Sequence, residues 1–202
     1  MEINKIKMAL IVKNTPIREY LSPMNFQTYV EGRDGSEFEI ELTNDSTREV
    51  ETIVSVDGLS IIDGKPAGSS SSGYVIGPKS SIRIPGWKLT GNETAAKFVF
   101  SGKQGGTYSE QSGYGRANIG VIGLMAFSKK LPMADFTASA YFSSPYAKSP
   151  NLRGFGVCAS AGSLNASNAS LGSANANTQN LGTGFGDETE FKTQRTSFER
   201  ED

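Results

Sequence analysis

Short apolar runs separated by turn-forming residues recur along the first two-thirds of the chain, and this spacing restricts the possible fold more than any other sequence feature. The runs come every ~8–12 residues, as strands do in all-β sandwiches and barrels. In residues 38–42, Phe, Ile and Leu alternate with two Glu residues, which is the period of a half-buried strand. No stretch has the apolar spacing of an amphipathic helix. The pattern predicts an all-β fold, an antiparallel β-sandwich of jelly-roll type over residues 1–145.

Turn residues locate individual strands within this pattern. Alternate residues of 50–56 share one apolar face, and together with the preceding run they predict an antiparallel hairpin over residues 37–56. Asp57-Gly58 and Asp63-Gly64 are typical of tight turns that need positive φ. Residues 119–127 are almost all apolar, which predicts a buried central strand. The expected core residues are Val54, Val56, Ile82, Ile84, Phe98, Phe100, Val121 and Ile122.

The composition of the 202 residues excludes several kinds of chemistry. With no His there is no Ser-His-Asp triad and no His-ligated zinc or haem, and a single Cys excludes an intrachain disulfide or a thiolate cluster. Asp57 and Asp63 are open to a role as a calcium site or an acid/base pair, but the calcium-loop pattern is absent and we interpret them as turn residues. We expect a protein that is not an enzyme and needs no cofactor or metal.

The charge balance also limits the partners. Lys and Arg number 20 against 21 Asp and Glu, a net charge of -1, which predicts binding to neither nucleic acid nor a membrane. The apolar run near the start, residues 8–12, is too short for a signal peptide. We therefore expect synthesis in a host cytoplasm without export by a signal sequence.

The composition changes after about residue 145. Residues 154–186 contain no charged residue and consist mostly of Ala, Ser, Asn and Gly. Such a segment has little apolar surface to offset its loss of chain entropy on ordering. We expect residues 146–186 to form an extended arm without helix that is buried mainly by other subunits, and residues 187–202 to form a C-terminal strand.

Large side chains in otherwise polar surroundings are the candidate contact residues. We consider seven as interface or ligand-stacking residues: Tyr74, Trp87, Tyr108, Tyr114, Leu164, Leu171 and Leu181. In the first interpretation they anchor contacts between subunits. In the alternative, the four aromatic residues share one exposed face of a carbohydrate- or cell-surface-binding module.

Several motifs together resemble a family of β-rich proteins found in bacterial genomes and in tailed phages. They are EGRDGSEFEI at 31–40, VSVDGLSIIDGKPA at 54–67, GYVI at 73–76, IPGW at 84–87, AKFVF at 96–100, NIGVIG at 118–123 and the ending from GTGFG at 182–186 to FER at 198–200. Phage members of that family look like structural proteins of the virion. The resemblance implies a capsid decoration, vertex or head–tail component located in the virion. Its partners would be other virion subunits, either the main shell protein or copies of itself.

Overall fold

The computed structural model describes residues 2–3, 5–25, 27–89, 91, 93–103, 106–131 and 181–201. Strands dominate these residues, and the prediction of an all-β fold is confirmed. The elements are β1 (Glu2–Ile3), β2 (Ile6–Val12), β3 (Thr15–Pro16), β4 (Glu19–Leu21), β5 (Thr28–Val30), β6 (Glu37–Asn44), β7 (Val50–Val56), β8 (Leu59–Ser60), β9 (Tyr74–Ile76), β10 (Ser80–Ile84), β11 (Gly86–Lys88), β12 (Thr94–Ser101), α1 (Tyr108–Gln111), β13 (Ile122–Ser128) and β14 (Gly182–Glu190).

The larger sheet is antiparallel and is built around β6. Its strand order is β1-β2-β6-β12-β11, with β3 added to β2, β10 to β6 and β14 to β12. Between β10 and β11 the chain changes partner from β6 to β12. Gly86 allows this change, because a Cβ there would lie 1.8 Å from the carbonyl oxygen of Ala96. A glycine is therefore required where the two backbones come close.

The smaller sheet is built around β7. β13 pairs with β7 along its whole length, while β9 and β8 pair with different parts of β7. The core contains side chains from both sheets, among them Phe38, Ile40 and Phe98 from the larger and Val54 and Val56 from the smaller. Two antiparallel sheets that share one core form a sandwich-like architecture. A jelly-roll connection pattern stays a prediction.

Most of the expected core residues are buried, and one is not. Val54, Val56, Ile84, Phe98 and Phe100 are buried, while Ile82 and Ile122 are half-buried and pack against the core. Val121 is 53% exposed, so the prediction for this residue was wrong.

The position of Val121 follows from a shorter strand than the sequence suggested. Gly120 has a φ of +79° and the Val121 amide bonds back to the Asn118 carbonyl, so the chain is still turning at this point. β13 starts at Ile122, and Met125 in its middle is 36% exposed. Within the described residues no strand lies along the edge of β13 that faces away from β7, so the predicted buried central strand is a half-buried one instead.

The predicted hairpin over residues 37–56 is not formed. β6 and β7 are consecutive in sequence but belong to different sheets. The turn between them is fixed by Asn44, a fully buried residue whose side-chain amide donates to the carbonyls of Arg48, Ile76 and Gly77. The Asn44 side-chain oxygen accepts the Ser46 amide. These four bonds direct the chain across the core rather than back along β6.

The last strand pairs within the chain. β14 begins at Gly182, five residues before the expected C-terminal strand, and pairs with β12 from Ser101↔Gly182 to Thr94↔Glu190. Residues 191–199 have no strand structure. In the sequence, the segment rich in Gly, Ser, Asn and Ala therefore connects two strands of one sandwich, β13 and β14. Of the predicted arm, residues 146–186, the part from 146 to 180 lies outside the described residues. Residues 181–186 are described, and they pack on and pair with the domain's own sandwich rather than with another subunit.

Candidate functional site

The predicted contact residue Trp87 lies inside the domain. It is 2% exposed, its ring meets Phe98 at 5.4 Å and Tyr108 at 4.8 Å between centroids, and its indole N–H donates to the Gly184 carbonyl at 3.4 Å. A ring buried to this extent has no free face on which a sugar can stack. Trp87 instead links β11, α1 and β14.

A cleft of about 320 Å³ has Trp87 among its lining residues, and we call it the aromatic cleft. Its aromatic wall continues through Tyr108 to Phe185, whose rings meet edge-to-face at 4.6 Å. Phe185 is 41% exposed, so part of this wall faces solvent. The remaining lining residues are Ile61, Ile62, Asp63, Gly64, Lys88 and Leu89. The lining thus combines aromatic and aliphatic side chains with one acidic and one basic side chain, and more of its accessible surface is polar than apolar.

The other predicted contact residues are scattered. Tyr74 is half-buried against Phe191, its hydroxyl is buried without a partner among the described residues, and burial raises its pKa well above the ordinary value. Tyr114 is 47% exposed. Leu181 packs on the domain's own core beside Gly32 and Gly102. Leu164 and Leu171 lie outside the described residues. Of the five predicted contact residues that the structure describes, Trp87 and Tyr108 are the two that lie together, and they do not form the shared exposed face that the carbohydrate-binding alternative requires.

Asp57 occupies a turn, as predicted, and its carboxylate has a role that the sequence did not suggest. Asp57 and Gly58 have φ of +52° and +81°, and they form the tight turn between β7 and β8. The carboxylate is buried and accepts the backbone amides of Gly120 at 2.8 Å and Thr183 at 2.7 Å. Burial raises the pKa of Asp57, and the two N–H donors act against that rise. The side chain therefore ties β14 to the smaller sheet.

Asp63 is in a different environment from Asp57. It is exposed, and its carboxylate accepts the amide of Lys65 at 3.2 Å. The two carboxylates thus have separate partners. Within the described residues, no three His, Cys, Asp or Glu side chains are grouped closely enough to hold a metal ion.

A second link fixes the end of the chain. The Arg200 guanidinium pairs with Glu51 at 2.7 Å, donates to the carbonyls of Ser69 and Ser71, and lies 4.2 Å from the centroid of the Phe127 ring. Glu51 also accepts the Gly73 amide at 2.9 Å. This network attaches both the serine-rich loop and the C-terminal segment to β7.

Four exposed large hydrophobic residues in the described part of the chain belong to a hairpin that the sequence analysis missed. β4 and β5 form a separate two-stranded sheet in which Tyr20 lies opposite Tyr29. Tyr20 is 46% exposed, Tyr29 50%, Leu21 68% and Met24, in the connecting loop, 93%. Val30 packs on the core. Tyr29 is its neighbour in β5 and Tyr20 pairs with Tyr29, so both tyrosine side chains lie on the opposite, outward face of the hairpin. Arg18 lies over the Tyr20 ring at 5.2 Å and completes this outer face.

Hydrogen bonds join described residues of the hairpin loop to one another and to β5. The Asn25 amide donates to the Gln27 side-chain oxygen at 2.8 Å and to the Tyr29 hydroxyl at 3.1 Å, and that hydroxyl donates to Gln27 at 2.9 Å. The Ser22 amide donates to the Gln27 carbonyl at 2.8 Å. The sequence signal that could have indicated this element is a pair of short Tyr-containing runs on either side of Ser22-Pro23 and Asn25.

Comparison with known proteins gives no further assignment. No family model, curated protein or solved structure matches this chain. Among the described residues, no helix has the length and apolar character needed to cross a membrane.

Proposed function

We propose that this protein is a structural component of a tailed-phage virion, a capsid decoration, vertex or head–tail protein, and that it acts by protein–protein assembly. The observation that carries the proposal is the β4–β5 hairpin. Two tyrosines and a methionine of the hairpin, and Arg18 beside it, are exposed to solvent. Tyr, Arg and Met are the residue types enriched at the centres of protein interfaces.

The energetics of the hairpin favour a partner. An isolated two-stranded hairpin is at best marginally stable in water, and this hairpin has mostly exposed residues on both faces. Fully burying one large apolar side chain stabilises by about 1.5–3 kcal/mol. A surface that covers Tyr20, Tyr29 and Met24 therefore stabilises the hairpin and gains affinity from the same contacts.

The sequence between β13 and β14 supports the same role. Ordering a residue costs about 1–2 kcal/mol of backbone entropy, and residues 154–180 offer few large apolar groups to offset that cost. Small residues allow a main chain to approach a neighbouring surface closely. We propose that this segment contacts other virion subunits, either the main shell protein or copies of this chain. The motif resemblance to β-rich phage proteins points to the same place.

The test is the protein content of purified phage particles from the source. Mass spectrometry is expected to find this chain at a fixed copy number relative to the main shell protein. The copy number is expected to survive high-salt washing, because the proposed contacts are apolar as well as ionic. Absence from washed particles, together with binding of the purified protein to a glycan array, would replace the assembly role with the carbohydrate-binding alternative.

A further inference from the structure

We propose that strand β13 pairs with β13 of a second copy, antiparallel and about a two-fold axis at Leu124, so that the smaller sheets of the two copies become one continuous sheet. This inference deepens the assembly role proposed above, on which it rests, by naming one of its contacts. It commits to a second copy of this chain as the strand that covers this edge.

Backbone groups along the outer edge of β13 point away from the smaller sheet. Next to the two ends of the β13–β7 ladder, the Lys129 amide donates to the Glu49 carbonyl and the Asp57 amide donates to the Val121 carbonyl. Hydrogen-bonded pairs alternate with unbonded pairs in an antiparallel ladder, so the odd-numbered residues of β13 bond to β7. The residues whose N–H and C=O groups face outward are Ile122, Leu124 and Ala126. No strand in the described part of the chain pairs with them.

The sequence of β13 lacks the features that keep an edge strand from pairing. Residues 122–128 contain no charged residue and no proline, and their register with β7 has no bulge. By contrast β14, whose only described partner is β12, carries three acidic side chains, Asp187, Glu188 and Glu190. An uncharged, apolar edge without such protection is a template for pairing with another strand.

The two ends of this edge fix the register of the added strand. At one end the Glu201 amide donates to the Ser128 carbonyl, so the chain's own C-terminal segment occupies the edge from Ser128 onward. At the other end Gly120, with a φ of +79°, turns the chain before β13 begins. The three outward-facing residues between these ends all find partners on a second β13 only when Leu124 lies opposite Leu124 of that copy. Each of the three residue pairs then exchanges two hydrogen bonds.

The side chains in this register favour a copy of β13 over an unrelated strand. Met125 lies opposite Gly123 of the second copy, and the two-fold axis repeats this pair. Met125 is 36% exposed, on the face of β13 opposite to Ile122 and Leu124, which pack on the core. The Cα atoms of such a pair, which is not hydrogen-bonded, are about 4.5 Å apart, and the glycine leaves room for the methionine. One contact thus covers Met125 of both copies, and a two-fold contact closes at two.

Hydrogen exchange and sedimentation velocity on the full chain test the pairing over a concentration series. The amides of Ile122, Leu124 and Ala126 are expected to become protected as the concentration rises, in step with a shift from monomer to dimer. Ala126→Pro removes one outward-facing N–H from each copy and no bond to β7, so it is expected to weaken dimerisation about tenfold or more. Circular dichroism checks that this variant is folded. Protection that does not depend on concentration would show that the chain's own residues cover this edge, and it overturns the inference.

Charges introduced at Met125 test the register. In the proposed dimer the two Met125 side chains are diagonal neighbours on one face, within reach of each other when both are long. Met125→Lys and Met125→Glu each bring like charges together and are each expected to weaken dimerisation about tenfold or more. An equimolar mixture of the two is expected to regain dimers that contain one copy of each.

Tyr114→Lys is the matched control, because Tyr114 is 47% exposed and lies outside every described strand. This variant is expected to dimerise like wild type. A monomeric wild-type chain, an unchanged Met125→Lys variant, or a mixture of the Lys and Glu variants without mixed dimers overturns the inference.

Particle analysis separates this inference from the proposed function. A chain that is monomeric in solution but present in washed particles leaves the assembly role in place and rejects the pairing of two copies through β13. A chain that dimerises through β13 but is absent from particles keeps the pairing and removes the virion role.

Discussion

Asp57 combines a left-handed backbone conformation with a buried carboxylate that receives two amides from distant parts of the chain. Replacing it by Ala leaves the Gly120 and Thr183 amides without their acceptor. It also places Ala, which adopts the left-handed conformation less readily than Asp does, at a φ of +52°. Each buried donor left unsatisfied costs about 1–3 kcal/mol. Asp57→Ala is therefore expected to lower the free energy of unfolding in urea by roughly that amount or more. Asp63→Ala, at an exposed turn with a local partner, is the matched control and is expected to lose less.

The pH dependence of Asp57 has a defined sign. Burial raises the pKa of this carboxyl in the folded state above its ordinary value of 3.8, so the folded chain holds the proton more tightly than the unfolded chain does. Stability from this group is therefore greatest below pH 3.8 and declines as the pH rises through the raised pKa. Asp57→Asn has no such titration and keeps a residue that tolerates positive φ. The difference in unfolding free energy, wild type minus variant, is expected to fall from pH 4 upward. A rise would show that the two amide bonds outweigh burial.

At the scale of elements, alternation in the sequence predicted strands well but did not predict their partners. β6 lies where its alternating pattern places it, yet β7 crosses to the other sheet. That crossing depends on the side chain of Asn44, whose three carbonyl acceptors come from residues up to 33 positions away. The hairpin of β4 and β5 was missed because three-residue strands exposed on both faces show no alternation of burial. The sequence singled out Trp87 and Tyr108 as contact residues but predicted no cleft, and the position of Phe185 beside them depends on the pairing of β14 with β12.

β12 provides a stability test at the same scale, because it pairs with strands on both sides. Phe98 at its centre is fully buried against Phe38 and Trp87, with ring centroids 5.2 and 5.4 Å away. Phe98→Ala is expected to lower the free energy of unfolding by about 3–5 kcal/mol. Val99→Ala, next along the strand and on its half-buried face, is the control and is expected to lose less. Thermal unfolding of the two variants measures the difference. A Phe98→Ala variant that melts like wild type would contradict the placement of Phe98 in the core.

For the whole molecule, the segment between β13 and β14 is bounded on both sides by strands of one sandwich. On the first side, the Lys130 amide bonds to the Glu199 carbonyl and the Glu201 amide to the Ser128 carbonyl. On the second, Leu181 packs on the core and β14 is paired with β12. The sandwich thus has its own contacts at the points where the segment leaves and returns.

Deleting residues 154–180 tests whether the sandwich folds without this segment and whether the segment is needed for the proposed assembly role. Residues 132–153 still connect the two strands, and a shorter loop lowers the entropy cost of closure slightly. The deletion variant is therefore expected to melt within a few degrees of wild type while being incorporated into particles at a lower copy number. A variant of the same length in which residues 154–180 are replaced by a Gly-Ser linker is the control for loop length, and it is expected to show the same loss.

If the deletion unfolds the sandwich, the segment contributes to the domain's own core, and the support that it gives to assembly is lost. If both variants enter particles normally, the contacts that hold this protein in place lie elsewhere, and the β4–β5 hairpin becomes the first surface to mutate.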